Sequence, residues 1–341
     1  MASVIRVDEL TVQFNLMQGR QRREFNAVDQ VSLDVVEGEI LGVIGESGSG
    51  KSTLAFGILD LVEPPGRVAS GAVHLLTTDQ GEVSLFELSA RDKRSFRWQG
   101  ISTVFQAAQS ALNPIITVWD HFQETMEAHP EADLRGMGMR ERAEELVSYV
   151  RLDPRVLEMY PFELSGGMKQ RVLIALSLLL DPRVIILDEP TTALDVITQW
   201  HILEILKEIN RERGVTMIFL THDILIVSSM AHRLVVMYGG QIVEIALTAD
   251  IYRNPSHPYT RALMEAIPTL HDDLSTRKAI RGASVDMLKL GGGCRFLPRC
   301  EVADAVGCDG GADKVRELFP VGTGHQARCW FAPREKEGSG S

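Results

Sequence analysis

The sequence predicts an α/β protein with a mostly parallel core sheet, an antiparallel strand patch ahead of it and a helical insertion. Three observations carry this. The apolar runs EILGVIG, RVIILDEP and VTMIFLTHD each adjoin helical sequence, as strands buried on both faces do. Before them, VIRVDELTVQF and AVDQVSLDVVEG alternate apolar and polar residues, the pattern of half-buried antiparallel strands. From about Asp120 to Tyr160 the spacing is helical, and MRERAEELVSYVRL is a clear amphipathic stretch.

Along the chain, EILGVIG is a buried strand, GESGSG a tight loop and KSTLAFGILDLV a helix. RVIILDEP and VTMIFLTHD follow the helical insertion, each preceded by further helical sequence. Near Leu247 the character shifts. TADIYRNPSHPYTRALMEAIP reads as a turn followed by a short helix, and a charged linker leads to a glycine-rich tail. The closing EGSGS is flexible linker sequence and stands outside the fold. No internal repeat is present.

The 341 residues suffice for about two domains. Apolar content of 45% and charged content of 24% are ordinary for a soluble globular protein. A formal charge of -11 argues against nucleic acid as the main partner, because phosphate backbones need a basic face. MASVIRVDEL lacks the basic-then-apolar pattern of a secretion signal, and no apolar run reaches the roughly 18 residues of a membrane span. A cytosolic setting is therefore expected, which disfavours structural disulfides.

Gly45, Glu46, Ser47, Gly48, Ser49, Gly50, Lys51 and Ser52 fit G-x-x-x-x-G-K-[ST]. Glycines allow backbone N–H groups to turn around phosphate oxygens, and the helix that follows favours negative charge at its start. In such a loop the lysine reaches the β- and γ-phosphates and the hydroxyl of Ser52 binds Mg²⁺. The alternative, a ligand-free glycine-rich turn, fits poorly with strand and helix both in place. VIILDEP supplies acids at the end of a buried strand, where parallel sheets bind ligands. Asp188 can hold Mg²⁺ through water, and Glu189 can serve as general base toward water. Alone, such an acid pair is more often a plain strand-end turn. Ser165, Gly166 and Gly167 in LSGGMKQR form a second small-residue loop ahead of a helix, a second anion site or a simple helix cap.

Together with Gln106 in TVFQ, Asp195 closing TALD and His222 in FLTHD, these motifs resemble the ATP-binding cassette (ABC) ATPases over about residues 4 to 265. The resemblance implies an ABC-type P-loop ATPase fold: a RecA-like parallel core, an N-terminal antiparallel β subdomain and a helical subdomain of about residues 107–160. The nucleotide-binding domain would span residues 1–246, an extension residues 247–335, and a tail residues 336–341.

The resemblance further implies a head-to-tail dimer holding two ATP molecules. Lys51, Ser52 and Thr53 would hold the phosphates and Mg²⁺ of one ATP. Ser165 and Gly167 would cap the γ-phosphate held by the opposite subunit. Gln106 would contact Mg²⁺, His222 the γ-phosphate, and Asp195 would link the two sites. A satisfied strand-end histidine is the better reading for His201, His232 and His325. Phe14 would stack on adenine, with Phe25 as the alternative and core packing the plain reading of either.

Within this family, GESGSGKS, SALNP, DEPTTALDV and NPSHPYTRAL resemble the ATP-binding subunits of oligopeptide and dipeptide permeases, a branch that includes nickel and some oligosaccharide importers. One departure is Ala107-Ala108, where members carry Asp-Pro. The implied partners are two membrane-spanning permease subunits, a second and different ATPase subunit, and an extracytoplasmic substrate-binding protein. The implied place is the cytoplasmic face of the membrane, peripherally held. Peptide is the leading substrate, then oligosaccharide, then nickel. A soluble ABC ATPase is disfavoured by the single cassette and the lack of heptads. A non-catalytic cassette is disfavoured by the presence of Glu189 and His222.

Cys294, Cys300, Cys308 and Cys329, all the cysteines of the chain, lie in the glycine-rich tail. Four thiolates suit an iron–sulfur cluster or zinc, while the C-x₅-C and C-x₇-C spacings lack the close pairs usual for zinc. Similar permease subunits imply a 4Fe-4S cluster here, with zinc second and empty or oxidised thiols third.

Overall fold

The computed structural model describes residues 2–18, 21–77, 81–105, 110–267, 280–311, 317–329 and 332. The elements run β1 (Ser3–Gln18), β2 (Gln21–Val36), β3 (Ile40–Ile44), α1 (Lys51–Ile58), β4 (Gly66–Thr77) and β5 (Gly81–Ser84). They continue with α2 (Ala90–Gln99), β6 (Ile101–Val104), α3 (Val118–Glu127), α4 (Met139–Tyr149), α5 (Gly166–Ser177) and β7 (Val184–Asp188). Then come α6 (Val196–Arg213), β8 (Thr216–Thr221), α7 (Ile224–Ser228), β9 (Arg233–Tyr238) and β10 (Gln241–Leu247). The chain closes with α8 (Thr248–Arg253), α9 (Pro258–Glu265), β11 (Phe319–Gly322) and β12 (His325–Ala327).

Two compact units result. One comprises Met1–Val4, Val36–Ile40 and Ser84–Phe219, and the other Ile5–Val35, Leu41–Val83 and Leu220–Ser341. In the first, strands take the order β8-β7-β6, with Ile101 opposite Val184 in parallel register. Every residue of β7 and β8 is buried, which is why both read as unbroken apolar runs. The helical insertion forms α3 and α4, and 3₁₀ turns at Pro154–Glu158 and Pro161–Glu163 follow. Thr117 and Asp120 start α3 with a reciprocal cap, and Val118, Phe122 and Met126 place its apolar stripe inward. Arg142 of α4 is fully buried yet satisfied, bonded to Glu145, Asp181 and the carbonyls of Leu178 and Leu179.

The second unit holds the antiparallel patch and the phosphate-loop motif. The patch has the order β2-β1-β4-β5, with Ile5 opposite Leu75 and Phe14 opposite Gly66. A second run of strands has the order β11-β12-β10-β9-β3, with β3 and β9 parallel and Leu41 opposite Arg233. β10, β12 and β11 add antiparallel strands at this end. Strands in the tail, and β4 and β5, are not evident from the sequence pattern. TADIYR forms the short helix α8 rather than a turn, and NPSH separates it from α9. Helix α1 ends at Ile58, short of the full KSTLAFGILDLV.

Candidate functional site

The phosphate-loop motif begins where the buried strand β3 ends and closes on the first turn of α1. Gly50 caps the helix with φ +102°, and a Cβ there would stand 2.4 Å from the carbonyl oxygen of Ala27. Only glycine fits such a backbone against its neighbour. No acidic residue lies in the first turn of α1, so its N-terminal dipole is left open to an anion. Lys51 is 5% exposed and folds back into the loop, its Nζ donating to the carbonyls of Gly45 at 2.7 Å and Glu46 at 3.1 Å. Ser49 is buried and its carbonyl accepts from Gly240 N–H at 2.9 Å. Ser47 and Gly48 are exposed at the rim, and Ser52 and Thr53 are half-buried in the first turn.

Glu46 is engaged differently from its neighbours. Its N–H donates to the hydroxyl of Tyr259 at 3.0 Å, and its carboxylate accepts two bonds from Arg299 at 2.8 and 3.0 Å. Sequence reasoning missed both partners. Tyr259 lies within the quoted NPSHPYTRAL string, but no local pattern ties it to Glu46. Burial of Tyr259 raises its hydroxyl above the usual range, so it stays protonated, and the oxygen accepts from the loop.

Phe14 stacks on Phe25 with ring centres 5.7 Å apart and planes 16° off parallel. The two aromatics weighed for adenine are thus one stacked pair. His222 follows β8 and is exposed, directly before Asp223, which caps α7. His325 bonds the buried Glu244 at 2.6 Å, the satisfied state expected of it. His201 is exposed and meets the Trp200 ring edge-on, and His232 is also exposed.

In the other unit, β7 delivers Asp188 at its end, 2% exposed. Glu189 follows with φ +49°, in the left-handed region. A non-glycine residue held there marks a turn that the surrounding structure fixes. Thr192 Oγ1 donates to Glu189 Oε2 at 3.0 Å. Ser165 is the N-cap of α5, its Oγ accepting from Met168 N–H at 3.3 Å, and the first turn carries no acid. The plain helix-cap reading of this serine is thus met, while the open dipole remains. Asp195 caps α6, accepting from the N–H and hydroxyl of Thr198 at 2.9 and 2.6 Å. Those bonds hold its carboxyl below the usual range. Gly166 and Gly167 open α5, and a Cβ on Gly167 would stand 2.5 Å from Thr198 Cγ2. Gln106 lies outside the described residues, as do Ala107 and Ala108.

The four tail cysteines are the residues expected to hold a cluster. Among the described residues no group of three or more histidines, cysteines or acids is placed to hold a metal ion. Cys294, Cys300, Cys308 and Cys329 instead line a single pocket with His257, Phe296 and Leu297. None of the four is in a disulfide, and all are half-buried. Burial pushes the Cys294 thiol up to about 11 and that of Cys300 up as well, so both pack as small neutral hydrophobes.

Oxygen donors suit the other expected ion. Ser52 offers a hydroxyl and Asp188 a carboxylate, the hard ligands that Mg²⁺ prefers.

Residues 28–192 match the family described as ABC transporter, and residues 243–308 match that described as oligopeptide/dipeptide transporter, C-terminal region. The chain is 44% identical to the dipeptide transport ATP-binding protein DppD of Caldanaerobacter subterraneus subsp. tengcongensis, over 89% of this chain and 90% of that one. It is 34% identical to the Escherichia coli (strain K12) protein of the same name, over 96% and 97% of the two chains. Among solved structures it is similar to a dimeric ATP-binding cassette in a post-hydrolysis state bound to ADP and Pi. The TM-score is 0.60 with 29% identity, over 72% of this chain and 98% of that one.

Proposed function

The chain belongs to the ABC transporter family, in its oligopeptide and dipeptide branch, and on that premise we infer that it is the energy-coupling subunit of a peptide importer. It hydrolyses ATP and couples that hydrolysis to import, with permease subunits and a second cassette as its working partners. A substrate-binding protein outside the membrane completes the assembly on this reading. Among the described residues no helix is long and apolar enough to cross a membrane, in keeping with peripheral attachment to the cytoplasmic face.

Lys51 and the N–H groups of the loop bind the β- and γ-phosphates, and Lys51 exchanges its carbonyl partners for phosphate oxygens. Ser52, and Asp188 through water, would hold Mg²⁺, which would supply neutralising charge to the phosphate oxygens. Glu189 takes a proton from the attacking water, and His222 steadies the γ-phosphate. Gln106 senses the partner, and Ser165 and Gly167 cap the ATP of the other cassette. Asp195 ties the two sites together, and Phe14, with Phe25 behind it, meets the adenine. Residues 1–246 form the nucleotide-binding domain and 247–335 the extension. The helical segment at 107–160 receives a permease helix, a role supported by Ile115, which is 78% exposed. The four-cysteine pocket would hold a 4Fe-4S cluster, a reading supported by the presence of all four cysteines in the lining of one cavity. No step of ATP chemistry runs through it.

The observation that carries this reading is the buried Lys51 curled among loop carbonyls beneath an unneutralised helix N-terminus. Equilibrium binding of Mg·ATP to wild type and Lys51→Ala tests it. Loss of binding is expected, and unchanged affinity would overturn the site.

A further inference from the structure

Glu46 places a carboxylate within the phosphate-binding loop. A carboxylate there repels the ligand's phosphates and competes for Lys51. The structure removes it from that competition. Arg299, whose side chain is only 8% exposed, donates two parallel bonds to the two Glu46 oxygens at 2.8 and 3.0 Å. Such a bidentate pair fixes geometry as well as charge. The guanidinium is itself held, its Nε donating to the Arg281 carbonyl at 2.6 Å and its Cζ lying 5.7 Å from the Tyr238 ring centre. The loop is tied at two further points. Tyr259 accepts from Glu46 N–H at 3.0 Å, and Gly240 donates to the Ser49 carbonyl at 2.9 Å. Beside Gly240, the Gly239 carbonyl accepts from Arg295, which also bonds Asp29. Arg295 and Arg299 are chain neighbours of Cys294 and Cys300.

We propose that Arg299 is a positioning residue for ATP binding: it neutralises Glu46, draws it away from the phosphates and anchors the first turn of the loop to the cysteine-rich segment. This rests on the nucleotide-site reading above.

The test uses the full chain and Mg·ATP, with affinity from calorimetry and KM and kcat from hydrolysis by the assembled transporter. Arg299→Gln leaves Glu46 unneutralised, so affinity should fall on the order of 10-fold and KM should rise, with kcat unchanged. Arg299→Lys keeps the charge but not the fork and should recover part of the loss. The double variant Glu46→Gln/Arg299→Gln removes both charges and should bind ATP more tightly than Arg299→Gln alone. A purely structural role would instead lower kcat at constant KM, and that result would overturn the proposal. So would wild-type affinity in both Arg299 variants, or a double variant no better than Arg299→Gln. If Arg299→Gln does not fold, Arg299→Lys carries the comparison. Lys51→Ala separates the two levels. Its loss of ATP binding beside unaffected Arg299 variants sinks only the positioning role, whereas unchanged binding by Lys51→Ala sinks the site itself.

Discussion

Gly167 lies directly against Thr198: a Cβ on the glycine would stand 2.5 Å from Thr198 Cγ2. Thr198 cannot turn aside freely, because its hydroxyl and N–H both bond Asp195. The second small-residue loop and the cap of α6 are therefore packed as one piece. Gly167→Ala should destabilise the fold by about 1–3 kcal/mol through overpacking. Thr198→Ser deletes the opposing methyl and keeps the hydroxyl bond, so the double variant should regain most of that loss. Urea unfolding of the four proteins measures it. Additive costs would show that the contact does not set the need for glycine.

Glu189 occupies a left-handed turn directly after the buried Asp188, its carboxylate steadied by Thr192. Glu189→Gln keeps the shape and removes the base. Turnover should drop by about 10²- to 10⁴-fold while ATP still binds. Single-turnover hydrolysis by the assembled transporter reads this, and a near-normal rate would remove Glu189 from the role.

His257 gives a pH signature. It caps α9, its Nδ1 accepting from Tyr259 N–H at 3.0 Å, and it is 2% exposed. Burial lowers its pKa from 6.5 to about 4, with Glu244 opposing the shift and Arg328 adding to it. The folded ring is thus neutral where the unfolded ring takes a proton. Stability is then full above pH 6.5 and falls as the pH drops toward 4, because the unfolded chain binds the extra proton. The loss over that window amounts to roughly 3 kcal/mol. His257→Asn keeps a cap acceptor and abolishes the titration, so its urea midpoint should vary less between pH 7 and 4.5. An equal slope in both proteins would refute the assignment.

The core strands were legible in the sequence because burial on both faces writes itself as composition. Ile40–Ile44, Val184–Asp188 and Thr216–Thr221 are apolar throughout or nearly so, and all their residues are buried. The loop glycines and Lys51 were legible because phosphate chemistry dictates their spacing. What connects Glu46 to Tyr259 and Arg299 was not, since the partners lie 213 and 253 residues away and no periodicity spans such a gap. The strand β12 has three residues, too few for alternation to register, and owes its pairing to β10. TADIYR reads as a turn because its six residues span fewer than two helical turns. The thiol spacings suggested a common site, but loop residues without a fixed backbone say nothing of how close the sulfurs come.

That last gap sets the final prediction. The four cysteines reach one pocket by loop segments and a strand end, an arrangement that forms no ligand group by itself. Thiolate ligation would have to draw them together, and the binding free energy would then appear as added stability of the segment. Protein purified without oxygen should carry about four iron and four acid-labile sulfide per chain, the content of one cubane cluster. Cys300→Ser should lose both and melt at a lower temperature. Stoichiometric zinc without sulfide would replace the cluster with a thiolate zinc site. Four alkylatable thiols and no metal in the anaerobic protein would leave the pocket as plain side-chain packing, and would end the iron–sulfur reading.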